Sequence, residues 1–320
     1  MSAAQLASLT AFALSSVADS TRRSYFAILR RFFSFQGNTC GKSIPLPADP
    51  FEVALFLLSS VQTLHSASSL ASLTAAIKWA HSFCGLPDPC SHKFLSLASS
   101  GMHRLFAKPI QRKIPLTRCH LLKLADSALR DPSSLKKLRD TTFCLMGYAG
   151  FFRYSELSSI RCNQLFFAPD CSHVVVHLPQ SKTDQFRRGS DVFIAQSDTL
   201  LCPVTFLLRY LAQGGLSLSS SSFLFQSLSF NRSSTSWILS GKPLTYSAAR
   251  RLIKSAAIVM GLPPDSVGTH SLRSGGATQA ARHRISDRLI SLHGRWSSAA
   301  SRNRYIEDSI ESRLSVSKIL

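Results

Sequence analysis

Apolar residues recur at intervals of three and four in the first third of the chain, a spacing that gathers them on one face of a helix. In residues 21–36 this face comprises Tyr25, Ile28, Leu29, Phe32 and Phe33. Residues 51–61, 69–83 and 94–106 have the length and composition of further helices, and prolines punctuate the segments between them. The sequence therefore predicts an all-helical domain over residues 1–106.

The rest of the chain mixes two periodicities. Residues 107–117 are basic and contain two prolines, which indicates a linker. Beyond them, helical patterns share residues 118–320 with two β-branched runs, 173–179 and 191–195. A polar segment separates the two runs, so they predict a small hairpin. We expect serine-rich residues 214–236 to form a loop with fragments of structure. The predicted fold is mainly α, with a helical N-terminal domain and a mixed α+β second domain.

The charge balance indicates the class of partner. The formal net charge is +20, from 37 Lys and Arg against 17 Asp and Glu, which favours a polyanionic partner. Hydrophobic residues make up 45% of the chain, enough to bury a core, so this is not a disordered basic tail. Nucleic acid is the first candidate and an anionic membrane surface the alternative. No apolar run reaches the roughly 18–20 residues that a membrane span needs.

The eight cysteines are scattered along the sequence, which predicts free thiols. One group of potential zinc ligands lies within a short stretch: His81, Cys84, Cys90 and His92. Their spacing is not that of a common zinc finger, and two prolines lie among them. A helix end followed by a proline-rich turn is the better interpretation, so we predict no metal and no cofactor.

Two motifs place charged residues in unexpected settings. Arg153 directly follows the apolar run AGFF, with Glu156 three positions later, so the pair could share a helix face. Lys182 lies in the polar segment between the two β-branched runs. Taken singly, a surface ion pair explains Arg153 and Glu156, and a solvated turn explains Lys182.

Two further motifs follow toward the C-terminus. His270 and Arg273 are three positions apart in HSLR. The stretch HGRWSSAASRNRYIED then places Trp296 and Tyr305 among several arginines. A buried tyrosine needs no cations around it, whereas a tyrosine that attacks an anion does.

In this order the motifs resemble those of the tyrosine recombinases, the phage integrase family. RYSEL resembles the first arginine motif of the family and HSLR the second, and Tyr305 follows Trp296 by the family's usual nine residues. STRRSYFAILRRFFSF and SLTAAIKWAHSFCGLPDP resemble the family's core-binding, SAM-like domain. The resemblance implies a two-domain tyrosine recombinase architecture, with residues 118–320 as the catalytic domain.

The segment Gly294-Arg295-Trp296 departs from the pattern of many members, which have His directly after Gly. Alignment on Gly294 would put Arg295 in the His position, whereas the nine-residue interval selects Trp296. GRW with RYI, together with SKTDQFRRG, resembles the eukaryotic transposable-element branch of the DIRS, Ngaro and Crypton kinds.

The resemblance assigns Tyr305 as the nucleophile that forms a 3′-phosphotyrosine with DNA. The phosphorane formed on attack carries extra negative charge. Arg153 and Arg273 are expected to bind its two non-bridging oxygens through forked, permanently charged guanidiniums. A free tyrosine has a pKa of about 10, so it needs a cationic pocket and a base to react.

The resemblance also implies roles for the remaining residues. His270 is expected to act as the base or as a hydrogen-bond donor to the phosphate, and Lys182 as the general acid that protonates the leaving 5′ oxygen. Trp296 is expected to donate through its indole N–H and to pack the pocket. Glu156 is expected to orient its neighbours rather than react.

The implied function is that of a site-specific DNA recombinase from a mobile element, acting on double-stranded DNA. The implied assembly is a homo-tetramer on paired sites and a monomer without DNA, located in the nucleus if the source is eukaryotic and otherwise in the cytoplasm. A type IB topoisomerase shares the chemistry, but the integrase-like N-terminal helices disfavour it. A non-catalytic DNA-binding derivative of such an element is the other alternative, although all the active residues are present.

The tail after Tyr305 carries a narrow apolar stripe. Ile306, Ile310 and Leu314 recur every four residues, which predicts a helix with one apolar edge. The stripe packs either on its own domain or, as the resemblance suggests, on a neighbouring protomer.

Overall fold

The computed structural model describes residues 2–41, 45–109, 111–180, 188–232 and 235–320. The chain divides into two compact units, Met1–Gln111 and Arg112–Leu320. Helices make up 58% of the structure and the sheets are small, which confirms the predicted mainly α fold class.

The described part of the first unit is helical. Its α-helices are α1 Ala3–Leu14, α2 Asp19–Cys40, α3 Pro50–Leu64, α4 Leu70–Phe83 and α5 Lys93–Phe106. The apolar faces of α2 to α5 meet in one core, where Phe32, Leu57 and Ile77 are fully buried. The four predicted helices are therefore confirmed. Helix α1 was not predicted; it begins with a capping box between Ser2 and Gln5 and buries no residue.

His81 lies in this core and not at a metal site. The Ala48 N–H donates to Nε2 of His81 at 2.9 Å, and Nδ1 of His81 donates to the Ile77 carbonyl at 2.8 Å. Both ring nitrogens therefore bind backbone groups and are occupied as hydrogen-bond partners. Among the described residues, no group of three or more His, Cys, Asp or Glu side chains could hold a metal ion.

The second unit contains helices and strands over its described residues. They are α6 Arg118–Leu129, α7 Leu135–Ala149, α8 Tyr154–Ser159, β1 Leu165–Phe167, β2 His173–Leu178, β3 Ser190–Ala195, α9 Pro203–Gln213, β4 Gln226–Asn231, β5 Ser236–Pro243, α10 Tyr246–Met260, α11 Ser271–Arg282, α12 Asp287–Gly294, α13 Ala299–Asn303 and α14 Ile310–Lys318. No helix in the described ranges of either unit is long and apolar enough to cross a membrane.

The predicted hairpin is present as β2 and β3, which pair antiparallel within a three-stranded sheet of order β1-β2-β3. Val174 and Val176 face the core, opposite Ile194 and Val192 on β3. Lys182, in the connection between these strands, lies outside the described residues.

A second hairpin pairs β4, which lies within the serine-rich segment 214–236, with β5, which lies almost wholly after that segment. The sequence predicted a loop with fragments of structure there and did not identify β4 as a strand. Leu228 and Phe230 alternate with serines, which is the period-two signal of a strand. The high serine content obscured this signal.

Two adjacent glycines fix the position of α11. A Cβ on Gly275 would lie 2.0 Å from the Leu116 carbonyl oxygen, and one on Gly276 would lie 2.2 Å from the Tyr148 carbonyl oxygen. Neither position has room for a larger residue, so α11 packs directly between the end of α7 and residues 112–117. The Leu116 N–H also donates to the Ser271 carbonyl at 3.0 Å. This packing buries the side chains at the start of α11.

Candidate active site

A tight turn after α7 carries Arg153 into the site. Phe151 adopts a left-handed backbone conformation with φ of 46°, and Phe152 is fully buried, so the chain reverses directly before Arg153. The sequence suggested that Arg153 and Glu156 could share a helix face, but Arg153 lies directly before α8. The Arg153 N–H donates to Oε2 of Glu156 at 2.8 Å, and Nη1 of Arg153 donates to Oε1 at 2.6 Å.

Glu156 is a buried carboxylate among three guanidiniums. Besides Arg153, it accepts from Nη2 of Arg295 at 2.8 Å and lies 3.9 Å from Nη1 of Arg273. Burial alone would raise the pKa of Glu156. The charge of Arg295 and the Arg153 N–H, with the charges of Arg153 and Arg273, outweigh burial and lower it. The carboxylate is therefore ionised at neutral pH and holds the arginines together.

Arg273 is completely buried on α11, with 0% of its surface exposed. Its Nη1 donates to the Phe151 carbonyl and its Nη2 to the Gly294 carbonyl. Its Cζ lies 4.3 Å from the centroid of the Trp296 ring and 5.1 Å from that of Tyr305. Burial, with the nearby charge of Arg153, lowers the pKa of Arg273, but a guanidinium keeps its proton at neutral pH.

At the end of α12, the side chains of Arg295 and Trp296 have different surroundings. Arg295 has a left-handed φ of 57° and ends the helix, and its side chain points back toward the turn after α7. There it donates to the carbonyls of Gly150 at 3.1 Å and Phe151 at 3.0 Å, in addition to Glu156. A Cβ on Gly294 would lie 1.9 Å from the Trp296 ring, so only glycine allows this close approach.

Trp296 and Tyr305 pack against each other. Their ring centroids are 5.3 Å apart, in a small cluster with Phe151 and Ala277. Trp296, not Arg295, is thus the residue beside the tyrosine, in the position that the nine-residue interval had selected. The Nε1–H of Trp296 and the Nε–H of Arg273 are buried and have no hydrogen-bond partner among the described residues.

The Tyr305 backbone is fixed by α11, and His270 lies directly before this helix. The Tyr305 carbonyl accepts from the hydroxyls of Ser274 at 2.8 Å and Thr278 at 3.3 Å. The Tyr305 hydroxyl oxygen lies 3.3 Å from Nδ1 of His270, which is exposed. The structure therefore brings together Arg153, Glu156, His270, Arg273, Trp296 and Tyr305.

A cleft of about 120 Å³ opens at this cluster. Its lining consists of Arg153, Trp296, Ser297, Ser301, Arg304 and Tyr305. Cations, hydroxyls and the phenol surround one small space, which suits a tetrahedral oxyanion. Sequence reasoning assigned no role to Arg304, although it immediately precedes the tyrosine, and considered Arg295 only as an alternative to Trp296.

Comparison with known proteins gives a family match over most of the second unit. Residues 119–311 match the family model described as the phage integrase family. The chain is also 29% identical over 266 residues to an integrase/recombinase xerD homolog of Selenomonas ruminantium, a similarity that covers 82% of this chain and 74% of that protein.

Solved structures of two recombinases share the fold at low sequence identity. The XerH site-specific recombinase, in its post-cleavage complex with palindromic difH substrate, aligns with a TM-score of 0.64 and 15% identity, covering 93% of this chain and 79% of that one. The Tn1549 transposon integrase, in complex with transposon right end DNA, aligns with a TM-score of 0.62 and 12% identity, covering 95% and 94%. These similarities confirm the predicted two-domain recombinase architecture.

Proposed function

The chain belongs to the phage integrase family and is a tyrosine recombinase, and we propose that it cleaves and rejoins DNA with Tyr305 as its nucleophile. The observation that carries this proposal is the Tyr305 hydroxyl, 3.3 Å from Nδ1 of His270, on a ring that packs against Arg273 and Trp296. The phenolic oxygen attacks a phosphorus atom of the backbone. The bond from Tyr305 to phosphorus forms while the bond from phosphorus to the 5′ oxygen breaks, which leaves a 3′-phosphotyrosine.

The two proton transfers fall to different residues. In this mechanism His270 accepts the phenolic proton through Nδ1 as the new bond forms. Lys182 donates a proton to the departing 5′ oxygen, as the family resemblance implies. Rejoining reverses both steps, because a 5′ hydroxyl attacks the phosphotyrosine and Tyr305 leaves.

Negative charge on the phosphorane is stabilised from two sides. Arg153 borders the cleft and has further N–H groups besides the Nη1 that binds Glu156. Arg273 lies against the tyrosine ring, and its Nε–H, with the indole N–H of Trp296, has no partner among the residues described. A buried donor without a partner is costly, so a phosphate oxygen that pairs with either one gains more than an ordinary hydrogen bond.

Covalent capture tests the nucleophile and the reaction class together. The full chain is incubated with fragmented DNA from its source genome, denatured in detergent and digested. Mass spectrometry then identifies the peptide linked to DNA. We expect the peptide that contains Tyr305, attached to a 3′ phosphate. In a parallel assay on supercoiled plasmid, relaxation without exchange between sites would indicate a type IB topoisomerase instead. Binding without any adduct would indicate a non-catalytic DNA-binding protein.

We also propose the eukaryotic transposable-element branch of the family, with four protomers acting on two paired duplexes in the nucleus. The support is the GRW and RYI pattern around Trp296 and Tyr305, together with SKTDQFRRG. The native mass of the complex that recombines two captured sites tests the number of protomers. Exchange carried out by a complex of two protomers would contradict the tetramer.

A further inference from the structure

The β4–β5 hairpin presents two aromatic side chains to solvent. Phe230 and Trp237 lie opposite each other on the two strands, are 51% and 41% exposed, and have ring centroids 5.3 Å apart in an edge-to-face arrangement. Leu228 and Leu239 form the next pair on the same face, and Leu239 packs against the core of the unit. One face of the hairpin is therefore anchored near its base and uncovered near its tip.

The base of this hairpin is held by a buried polar network. The Gln226 side chain donates to the Phe223 carbonyl at 2.9 Å and accepts from the Gly241 N–H at 2.7 Å, so it joins both strands. The buried guanidinium of Arg139, on α7, donates to the Gln226 carbonyl at 3.0 Å. Such a satisfied network fixes the direction in which the hairpin projects.

The end of the hairpin also contacts the helix that follows Arg153. The Tyr154 hydroxyl donates to the Leu244 carbonyl at 2.7 Å, just beyond β5. The Tyr154 ring packs edge-to-face on Tyr246, at the start of α10, with centroids 5.3 Å apart. The base of the hairpin is thus bonded to the residue next to a proposed catalytic arginine.

The charge around the hairpin selects a polyanion as its partner. Residues 199–264 contain no Asp or Glu; Lys254 pairs with Asp265, and the other basic residues of this range are Arg209, Arg232, Lys242, Arg250 and Arg251. A second copy of a chain with net charge +20 would bring like charges together at this surface. Double-stranded DNA offers phosphates for the cations and, in its major groove, base edges with thymine methyl groups for the aromatic rings.

We infer that the β4–β5 hairpin is a DNA-binding element in its own right, with Phe230 and Trp237 against the bases of the duplex next to the cleaved phosphate and Arg232 and Lys242 against its backbone. A two-stranded ribbon is of the size that the major groove, about 12 Å wide, admits. The inference rests on the proposed function, because it assigns the hairpin to the same DNA that Tyr305 attacks.

The test measures binding in the absence of cleavage. Full-length protein carrying Tyr305→Phe is titrated against a fluorescein-labelled pool of random-sequence duplexes and, separately, against heparin, which carries charge but no bases. Trp237→Ala and Phe230→Ala are compared with Ile238→Ala, a matched control because Ile238 is 45% exposed on the opposite face of the same hairpin. Melting temperatures verify that each variant is folded.

We expect Trp237→Ala to raise the Kd for the duplex pool roughly tenfold, because an aromatic contact with base edges in the groove is lost, and to leave the Kd for heparin unchanged. Ile238→Ala should change neither Kd, and Lys242→Ala should raise the Kd for the duplex pool and the Kd for heparin. Equal duplex affinities for Trp237→Ala and Ile238→Ala would overturn the inference while leaving the proposed function intact. If the protein without DNA is a dimer and Trp237→Ala dissociates it, this face binds a second copy of the chain. That result would also overturn the inference. Failure of the parent protein to bind any duplex would contradict the proposed function, and the inference with it.

Discussion

Nη2 of Arg295 lies 2.8 Å from Oε2 of Glu156 and 3.0 Å from the carbonyl oxygen of Phe151, the same carbonyl that accepts from Arg273. One guanidinium thus neutralises the central carboxylate and fixes the turn that leads to Arg153. The sequence left open whether Arg295 or Trp296 takes the His position of the family pattern. From these contacts we propose that Arg295 supports the site and acts on the reaction through the other two arginines.

Replacing Arg295 with lysine should slow the reaction far more than it weakens DNA binding. Lysine keeps the charge beside Glu156 but cannot fork to the carbonyls of Gly150 and Phe151. We expect Arg295→Lys to slow covalent adduct formation at saturating DNA by roughly tenfold or more, with a much smaller change in Kd for DNA. Arg288→Lys, an exposed change on the same helix, is the control. Equal losses in adduct rate and DNA affinity would contradict the supporting role.

Glu156→Gln should destabilise the protein in a pH-dependent way. The variant leaves three buried or half-buried guanidiniums without their carboxylate, a loss of about 3–5 kcal/mol in the free energy of unfolding at neutral pH. Because the pKa of Glu156 is lowered on folding, this contribution is fully present above its ordinary pKa of 4.5. It disappears as the pH falls through the lower value of the folded state. Melting temperatures of wild type and variant should therefore converge on acidification, and a gap that stays constant below pH 4.5 would refute the assignment.

Tyr305→Phe should bind DNA as wild type does and never become covalently attached to it. The change removes only the hydroxyl that lies beside His270 and leaves the ring contacts with Arg273 and Trp296 in place. Gel analysis of denatured reaction mixtures checks this. Tyr246→Phe is the control, because Tyr246 is exposed and should keep full adduct formation. An adduct formed by Tyr305→Phe would show that another residue is the nucleophile.

Tyr210 is poorly placed to act as the nucleophile instead of Tyr305. It is fully buried and its hydroxyl donates to the Leu224 carbonyl at 2.9 Å, and burial raises its pKa well above the ordinary value. A phenol in that environment is neither accessible nor easily ionised. Tyr246, by contrast, is 56% exposed, which is why it is the control for Tyr305→Phe.

Lys182→Ala should slow cleavage of ordinary DNA by roughly 10²–10⁴-fold, the usual contribution of a general acid. The defect should shrink on a substrate with sulfur in the 5′ bridging position, because a thiolate leaves without a proton. Adduct formation is timed on both substrates. Arg188→Ala, at the other end of the same connection, serves for comparison. Equal slowing on both substrates would show that Lys182 is not the acid.

Features with a local signal were predictable from the sequence, and features that depend on distant residues were not. The β-branched run at 173–179 predicted its strand, and the order of Arg153, His270 and Tyr305 carries the family resemblance. Nothing in the sequence near Arg295 shows that its side chain turns inward, because that depends on a left-handed residue at the end of α12 and on carbonyls about 145 positions away. The part that Gly275 and Gly276 play in burying Arg273 likewise could not be predicted, because it depends on the packing of α7 and residues 112–117 against α11.

The tail divides at a point that periodicity alone did not show. Ile306 packs in the cluster with Trp296 and Ile290, but residues 307–309 are not helical, so it does not continue the stripe of α14. Helix α14 buries none of its residues, and Ile310 and Leu314 are 72% and 47% exposed. The expectation that the whole stripe shares one helix was therefore wrong, and packing of Ile310 and Leu314 on their own domain is not observed in the described structure.

Removal of residues 309–320 should consequently leave half-site binding nearly intact and abolish the paired complex. The deletion takes away only the uncovered helix, which we propose docks on a neighbouring protomer, and it spares Ile306 and the site. Sedimentation of complexes on single and paired duplexes measures both effects. The matched change Ile306→Ala, inside the site cluster, should instead lower adduct formation on a single half-site. Normal paired complexes of the truncated protein would rule out docking through α14, and loss of half-site binding would mean that the tail stabilises its own unit.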